Sequence, residues 1–287
     1  MHPPDAERAA ELRERFAEEA RAERPDLSVL CLLIGAAGDA ALDERGTDEA
    51  QIELDRLAGE LPHRPGGPEA WAAALGAHLG SAGAGFHGAG PDYERLESSL
   101  LHHVLRRRRG LPILLSVVWM EVARRAGGQV YGVALPGHFV VGFGRPPGPG
   151  DAGEQVLADP FDGGRVLTGG EAELLVAGAT GEPLDPALLS PADPREVVLR
   201  ILNNIRVWAA THPERSEVAL WAVELGLLLP AHPASLRYER AQLLVKRGDF
   251  LTGAREMESY ADVVEAVDEE GAATIREQAR AARALLN

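Results

Sequence analysis

Cysteine is almost absent from this sequence: Cys31 is the only one in 287 residues. That excludes an intramolecular disulfide and any cysteine-rich metal site. Cys31 lies in an apolar run, 28–34, where a thiol behaves as a small hydrophobe. Aromatic residues are also scarce, at 5%, and the abundance of Ala, Leu and Arg suits packed helices better than an all-β sandwich. No stretch reaches the ~18 uncharged apolar residues that a membrane span needs. The charged first residues lack the apolar segment of a secretory leader, so a cytoplasmic location is expected. Positive charge is in deficit, with 29 Lys and Arg against 44 Asp and Glu for a net −15. Such a chain repels phosphate backbones and anionic headgroups, so neither a nucleic acid nor a membrane is an expected partner.

What is present describes a folded protein. The composition is 45% apolar and 25% charged, ordinary for a chain that buries a core. Residues 6–24, 48–61 and 69–79 carry helical periodicity, and Pro25-Asp26 separates the first helix from the apolar run, with Asp26 or Ser28 as its cap. A further helix is expected over 92–108, ending in the basic run Arg106 to Arg109. That run is either the solvated end of a helix or an attractant for an acidic segment. Pro112 suits the first turn of a new helix, because its missing N–H is not needed there. From Ile113 to Ala126 nearly every residue is apolar, as in a buried central helix. Glu121 precedes Arg125 by four, the favourable spacing for an ion pair.

Beyond Gly127-Gly128 the period shortens. Segments 129–135, 138–143 and 156–159 read as short strands separated by Pro/Gly turns, and 160–164 turns into Arg165-Val166-Leu167. Helices followed by a small antiparallel sheet make an α+β core. Residues 178–194 hold four prolines and read as a linker. The remainder is helical and weakly repetitive: 212–219 aligns with 247–254 at an offset of 35, near the tetratricopeptide period. The expected organisation is a domain over 1–177 (helical lead-in 1–80, core 81–177), a linker at 178–195 and a helical repeat domain over 196–287.

Three separated pieces could build a site. Arg109-Gly110-Leu111-Pro112 through Ser116 starts the buried helix; Leu135-Pro136-Gly137-His138-Phe139 opens a strand; Asp159-Pro160-Phe161 ends one. A His held by a carboxylate is the base-and-orienter half of a nucleophilic triad. A helix N-terminus could then stabilise a thiolate or oxyanion. This order resembles the transglutaminase-like, papain-related core. More narrowly, Arg107-Arg108-x-Gly110-x-Pro112, Tyr131-Gly-Val-x-Leu-Pro-Gly-His138-Phe139 and Asp159-Pro-Phe-x-Gly-Gly164 resemble the SirB-type transglutaminase-like family. That resemblance covers residues 85–170 and implies tetratricopeptide-like helices at the C-terminal end. In the catalytic branches it implies a cysteine at the start of the central helix, and counting back from Gly127 puts that position at Pro112, within two residues. None of Leu111, Pro112, Ile113 or Leu114 can attack a carbonyl.

Two functions are therefore in competition. One is a non-catalytic interaction or regulatory module that takes a protein or peptide partner through its repeat tail. The other is an amidase- or protease-like hydrolase using His138 and Asp159, with Ser116 or water attacking. Ser116 is expected to bond its own helix backbone. Arg109, Gly110, Pro112, Phe139 and Phe161 are the expected lining of the cleft. No cofactor is implied. No metal site is expected either, since one His with one Asp is too few ligands and the adjacent His102 and His103 should face different sides of their helix. His63, His78, His87, His212 and His232 fall in predicted loops or helix ends, where exposure to solvent is expected.

Overall fold

A computed structural model describes residues 2–61, 66–80, 82–148 and 153–286. The lead-in consists of α1 (Ala6–Arg21), α2 (Leu27–Gly38), α3 (Glu44–Gly59) and α4 (Pro68–Leu79). Carboxylates begin three of them: Asp5, Asp26 and Asp43 each accept from a backbone N–H of the first turn, offsetting the unpaired donors there. Asp26 is the cap of α2, its Oδ1 accepting from Ser28 N at 2.9 Å and Val29 N at 3.1 Å. Cys31 is buried within α2. Burial, reinforced by the charges of Glu121 and Asp26, pushes its thiol far above the usual range.

The helix expected over 92–108 is broken. Two 3-10 turns, Gly90–Glu94 and Leu96–Ser99, precede the short α5 (Leu101–Arg107). Arg95 and Leu100 are extended at the breaks. The cause is polar: buried Asp92 accepts from Ala89 N at 2.9 Å and binds Arg109, while Ser98 O accepts from Leu111 N at 3.0 Å. These contacts divert backbone groups that a continuous helix would use.

The central helix α6 (Pro112–Arg125) is buried at every position from Pro112 to Ala123. Its one acidic residue, Glu121, pairs with Arg125 as the spacing predicts, and with Arg124 at 2.7 Å. Against α6 lies an antiparallel sheet in the order β1 (Val130–Val133), β2 (Val140–Arg145), β3 (Glu154–Asp159), β4 (Arg165–Leu167). A helix the periodicity did not reveal follows: α7 (Gly169–Thr180), begun by a reciprocal Thr168/Glu171 capping box. The chain thus has a mixed α/β N-terminal region with a small antiparallel sheet, then an all-helical region of α8 (Pro194–Ala210), α9 (Ser216–Leu228), α10 (Ser235–Lys246), α11 (Phe250–Val264) and α12 (Glu269–Ala284).

These last helices divide by what they bury. Val197, Ile201, Leu202 and Ile205 of α8 and Val218 and Leu225 of α9 join the same apolar core as α1, α2 and α6. The helices α10–α12 close a smaller core of their own around Ala241, Met257, Ala261 and Ile275. Each helix from α8 to α12 packs on the next, as in a repeat stack. No helix among the described residues is long and apolar enough to cross a membrane.

Candidate functional site

The site forms where the turn before β2 meets the end of β3. Gly137, at φ +70°, occupies the left-handed region that glycine enters without steric cost and turns His138 toward β3. His138 Nε2 lies 2.8 Å from Asp159 Oδ2. The other oxygen, Oδ1, accepts from Phe161 N at 2.9 Å, so one buried carboxylate orients the imidazole and caps the turn Pro160–Asp162. The rings of Phe161 and Tyr93 flank the dyad, Phe161 meeting His138 edge-on at 6.2 Å and Tyr93 at 6.0 Å.

Two participants carry no signal in the sequence. Arg200, on α8, donates through Nη2 to the carbonyls of Leu135 and His138, both at 2.7 Å, and fixes the turn that presents the imidazole. Its guanidinium also stands 5.8 Å over the ring of Phe139. Burial draws its pKa below the ordinary value. Tyr93 is the second: partial burial and the charge of Asp159 raise its phenol, against the pull of Arg200. Neither belongs to a motif or a periodic stripe that would have flagged it.

The nucleophile position is empty of chemistry. Leu111 caps α6 without a side-chain hydrogen bond, and Pro112 is its first residue. Ser116 is fully buried and its Oγ donates to Phe139 O at 3.2 Å. The serine is thus tied to the strand side of the core, neither bonding its own helix nor standing ready to attack. Of the expected cleft lining, Gly110, Pro112 and Phe139 are buried. Phe139, 1% exposed, packs against Gly132, where a Cβ would come within 2.6 Å of its ring. Phe161 stays half-buried beside the imidazole.

The basic run is engaged within the protein. Arg109 holds Asp92 Oδ2 through Nη2 at 2.8 Å and contacts His87 Nε2 at 3.2 Å. Arg107 reaches Asp92 Oδ1 at 3.4 Å, and Arg108 pairs with Glu53 and lies 4.5 Å over Phe86. Hydrogen bonds from Arg56, then Arg108, hold Glu53 down at about 2, below its usual 4.5. Its depressed pKa means the pairing is intact above pH 4.5 and is lost as pH falls toward 2. In urea unfolding, the Glu53→Gln chain should lose less stability than the parent between pH 4.5 and 2; parallel curves would refute the pairing.

Four of the histidines expected in loops or at helix ends are not left to solvent. His78, His87, His212 and His232 are half-buried, each within 2.7–2.9 Å of a backbone carbonyl. His63 lies outside the described residues. His102 and His103 do not diverge; both rings turn toward Asp39, with centroids 4.2 Å apart.

A His–Asp pair joining the turn before β2 to the end of β3, beside a buried helix whose first turn lacks sulfur, defines a transglutaminase-like core without its nucleophile. Residues 48–203 match the profile of the transglutaminase-like superfamily, and the chain belongs to it. Residues 205–287 match the tetratricopeptide repeat. A UPF0162 protein of Xylella fastidiosa (strain 9a5c) is 38% identical over 158 residues, 53% of this chain and 54% of that protein. The chain therefore spans about half the length of such bacterial relatives. The F-box only protein 21 of Homo sapiens is 30% identical over 122 residues, 42% of this chain and 19% of that one. Among solved structures, one of menin, described as revealing the binding site for Mixed Lineage Leukemia protein, aligns at 14% identity with a TM-score of 0.45, over 96% of this chain and 68% of that one.

Proposed function

We propose that this chain is a non-catalytic, SirB-type member of the superfamily that acts as a protein-interaction module. In this reading the α/β core is a rigid platform, and the tetratricopeptide-like helices take a protein or peptide partner. One observation carries it: the first turn of α6 offers Leu111, Pro112 and Ile113 where an attacking atom would stand, and the nearby Ser116 is sealed. His138 and Asp159 then join the β2 turn to β3 rather than activate a group. A buried His–carboxylate bond is well suited to that purpose.

The recognition surface proposed is the groove of the tail lined by Leu227, His232, Arg237, Arg240, Glu256 and Tyr260. Arg240 is tied to Glu224 and Glu256, which leaves exposed Arg237 and half-buried Tyr260 as the contacts to alter. With the full chain as bait, capture of its partner should fall at least ~10-fold in Arg237→Glu/Tyr260→Ala, since central interface residues carry most of the binding energy. His138→Ala should capture as the parent does. An amide or ester hydrolysis that drops ~10² or more in His138→Ala, the scale of a lost general base, would instead establish the hydrolase.

A further inference from the structure

The cluster at the end of α2 has no part in the site above. Asp39 is the C-cap of α2 and is buried. His102 and His103 lie in α5, and both direct Nε2 at Asp39 Oδ2, from 3.6 Å and 3.3 Å. The three ligand atoms all lie within 4.8 Å of one another. His102 is only 5% exposed, yet neither of its ring nitrogens has a hydrogen-bond partner, and Nε2 of His103 also lacks one. Two buried Nε2 atoms aimed at one carboxylate without a hydrogen bond are an anomaly that calls for a missing ligand.

The distances say what kind. At 3.6 Å a nitrogen and an oxygen are too far apart to hydrogen-bond. Two ligands of a tetrahedral zinc ion, each about 2.0–2.1 Å from it, stand roughly 3.3–3.4 Å apart. The two histidine–carboxylate separations, 3.6 and 3.3 Å, approach the edge length of such a polyhedron. We propose that Asp39, His102 and His103 bind one Zn²⁺ ion through the carboxylate and the two Nε2 atoms, leaving a fourth position for solvent.

The surroundings suit that ion. Gly35 makes room for the first imidazole: a Cβ there would stand 2.6 Å from His102 Nδ1. His102 also lines an open cleft of about 570 Å³ shared with Arg45 and Arg106. The ion would fasten the end of α2 to α5.

One neighbour opposes it. Arg106 Nη2 is 3.3 Å from His103 Nδ1. A His103 that binds metal through Nε2 carries its proton on Nδ1 and can no longer accept from Arg106. The exposed Arg106 side chain must then swing away, and its charge repels the cation besides. Removing it should tighten binding.

The test uses the untagged full chain, stripped with chelator, with Zn²⁺ in calorimetry and Co²⁺ as a visible-absorption probe. One equivalent per chain is expected, with the intense visible bands of tetrahedral Co²⁺. His103→Ala and Asp39→Asn, each confirmed folded by its unfolding transition, should weaken binding beyond the ~10–100-fold that losing an outer partner costs. Arg106→Ala should bind several-fold tighter. The proposal is overturned if the parent takes up neither ion at micromolar concentration. It is equally overturned if both ligand variants bind as well as the parent, since other histidines would then hold the ion.

Discussion

Deleting residues 196–287 is expected to leave a chain with no cooperative unfolding transition. The reason lies in the core. α8 places Val197, Val198, Ile201, Leu202 and Ile205 among the side chains of α1, α2 and α6, each at most 2% exposed. Burying a side chain of that size contributes about 1.5–3 kcal/mol, so these five together rival the whole stability of an ordinary domain, about 5–15 kcal/mol. Val218, Ala222 and Leu225 of α9 add to the loss. Arg195, at the cut, donates to the carbonyls of Ala20 and Ala22 at 2.7 and 2.6 Å, and that tie would sit at a frayed end. A chain ending at residue 234 should behave differently, since α10–α12 close a separate small core. It should keep a cooperative transition at lower midpoint. Circular dichroism with urea decides the matter: a sharp transition in the shorter chain would refute the shared core.

The second large effect is expected at Asp159. Replacing it by Ala removes the partner of His138 Nε2 and of Phe161 N together, at a site 5% exposed. Each buried group left unpaired costs about 1–3 kcal/mol, so Asp159→Ala should lower unfolding free energy by about 3 kcal/mol. His138→Ala should also destabilise, because it strips a buried carboxylate of its partner. The double variant should lose less than the sum, since the second substitution removes a group already orphaned. A loss under about 0.5 kcal/mol for Asp159→Ala would mean the dyad contributes no structural bond. The comparison also bears on function: a dyad kept for structure changes stability while leaving partner capture intact in the variants that remain folded.

Several features were readable before any coordinates. Asp26 or Ser28 at the head of an apolar run announces a cap, and Pro112 before another announces a helix start. Alternation broken by Pro136-Gly137 announces two adjoining strands. These are local rules, decided by the backbone within a few residues, and the structure follows them. The helix expected over 92–108 failed because periodicity records apolar positions only. It takes no account of Asp92 capturing Ala89 N, Arg107 and Arg109 from within the same stretch. The missed α7 begins on a capping box and buries only Ala172 and Val176, too few for a conspicuous apolar stripe.

By itself, the order of residues determined the α+β class, the His138 and Asp159 motifs and the absence of sulfur where the superfamily's catalytic members use it. Each follows from chemistry carried within one segment. Which segments meet was decided only in three dimensions. Arg200 grips a turn more than sixty positions earlier, Ser116 is tied to Phe139, and two neighbouring imidazoles face one carboxylate across a helix boundary. Such contacts depend on the packing angles and rotamers of elements remote along the chain, and a linear pattern holds no record of either.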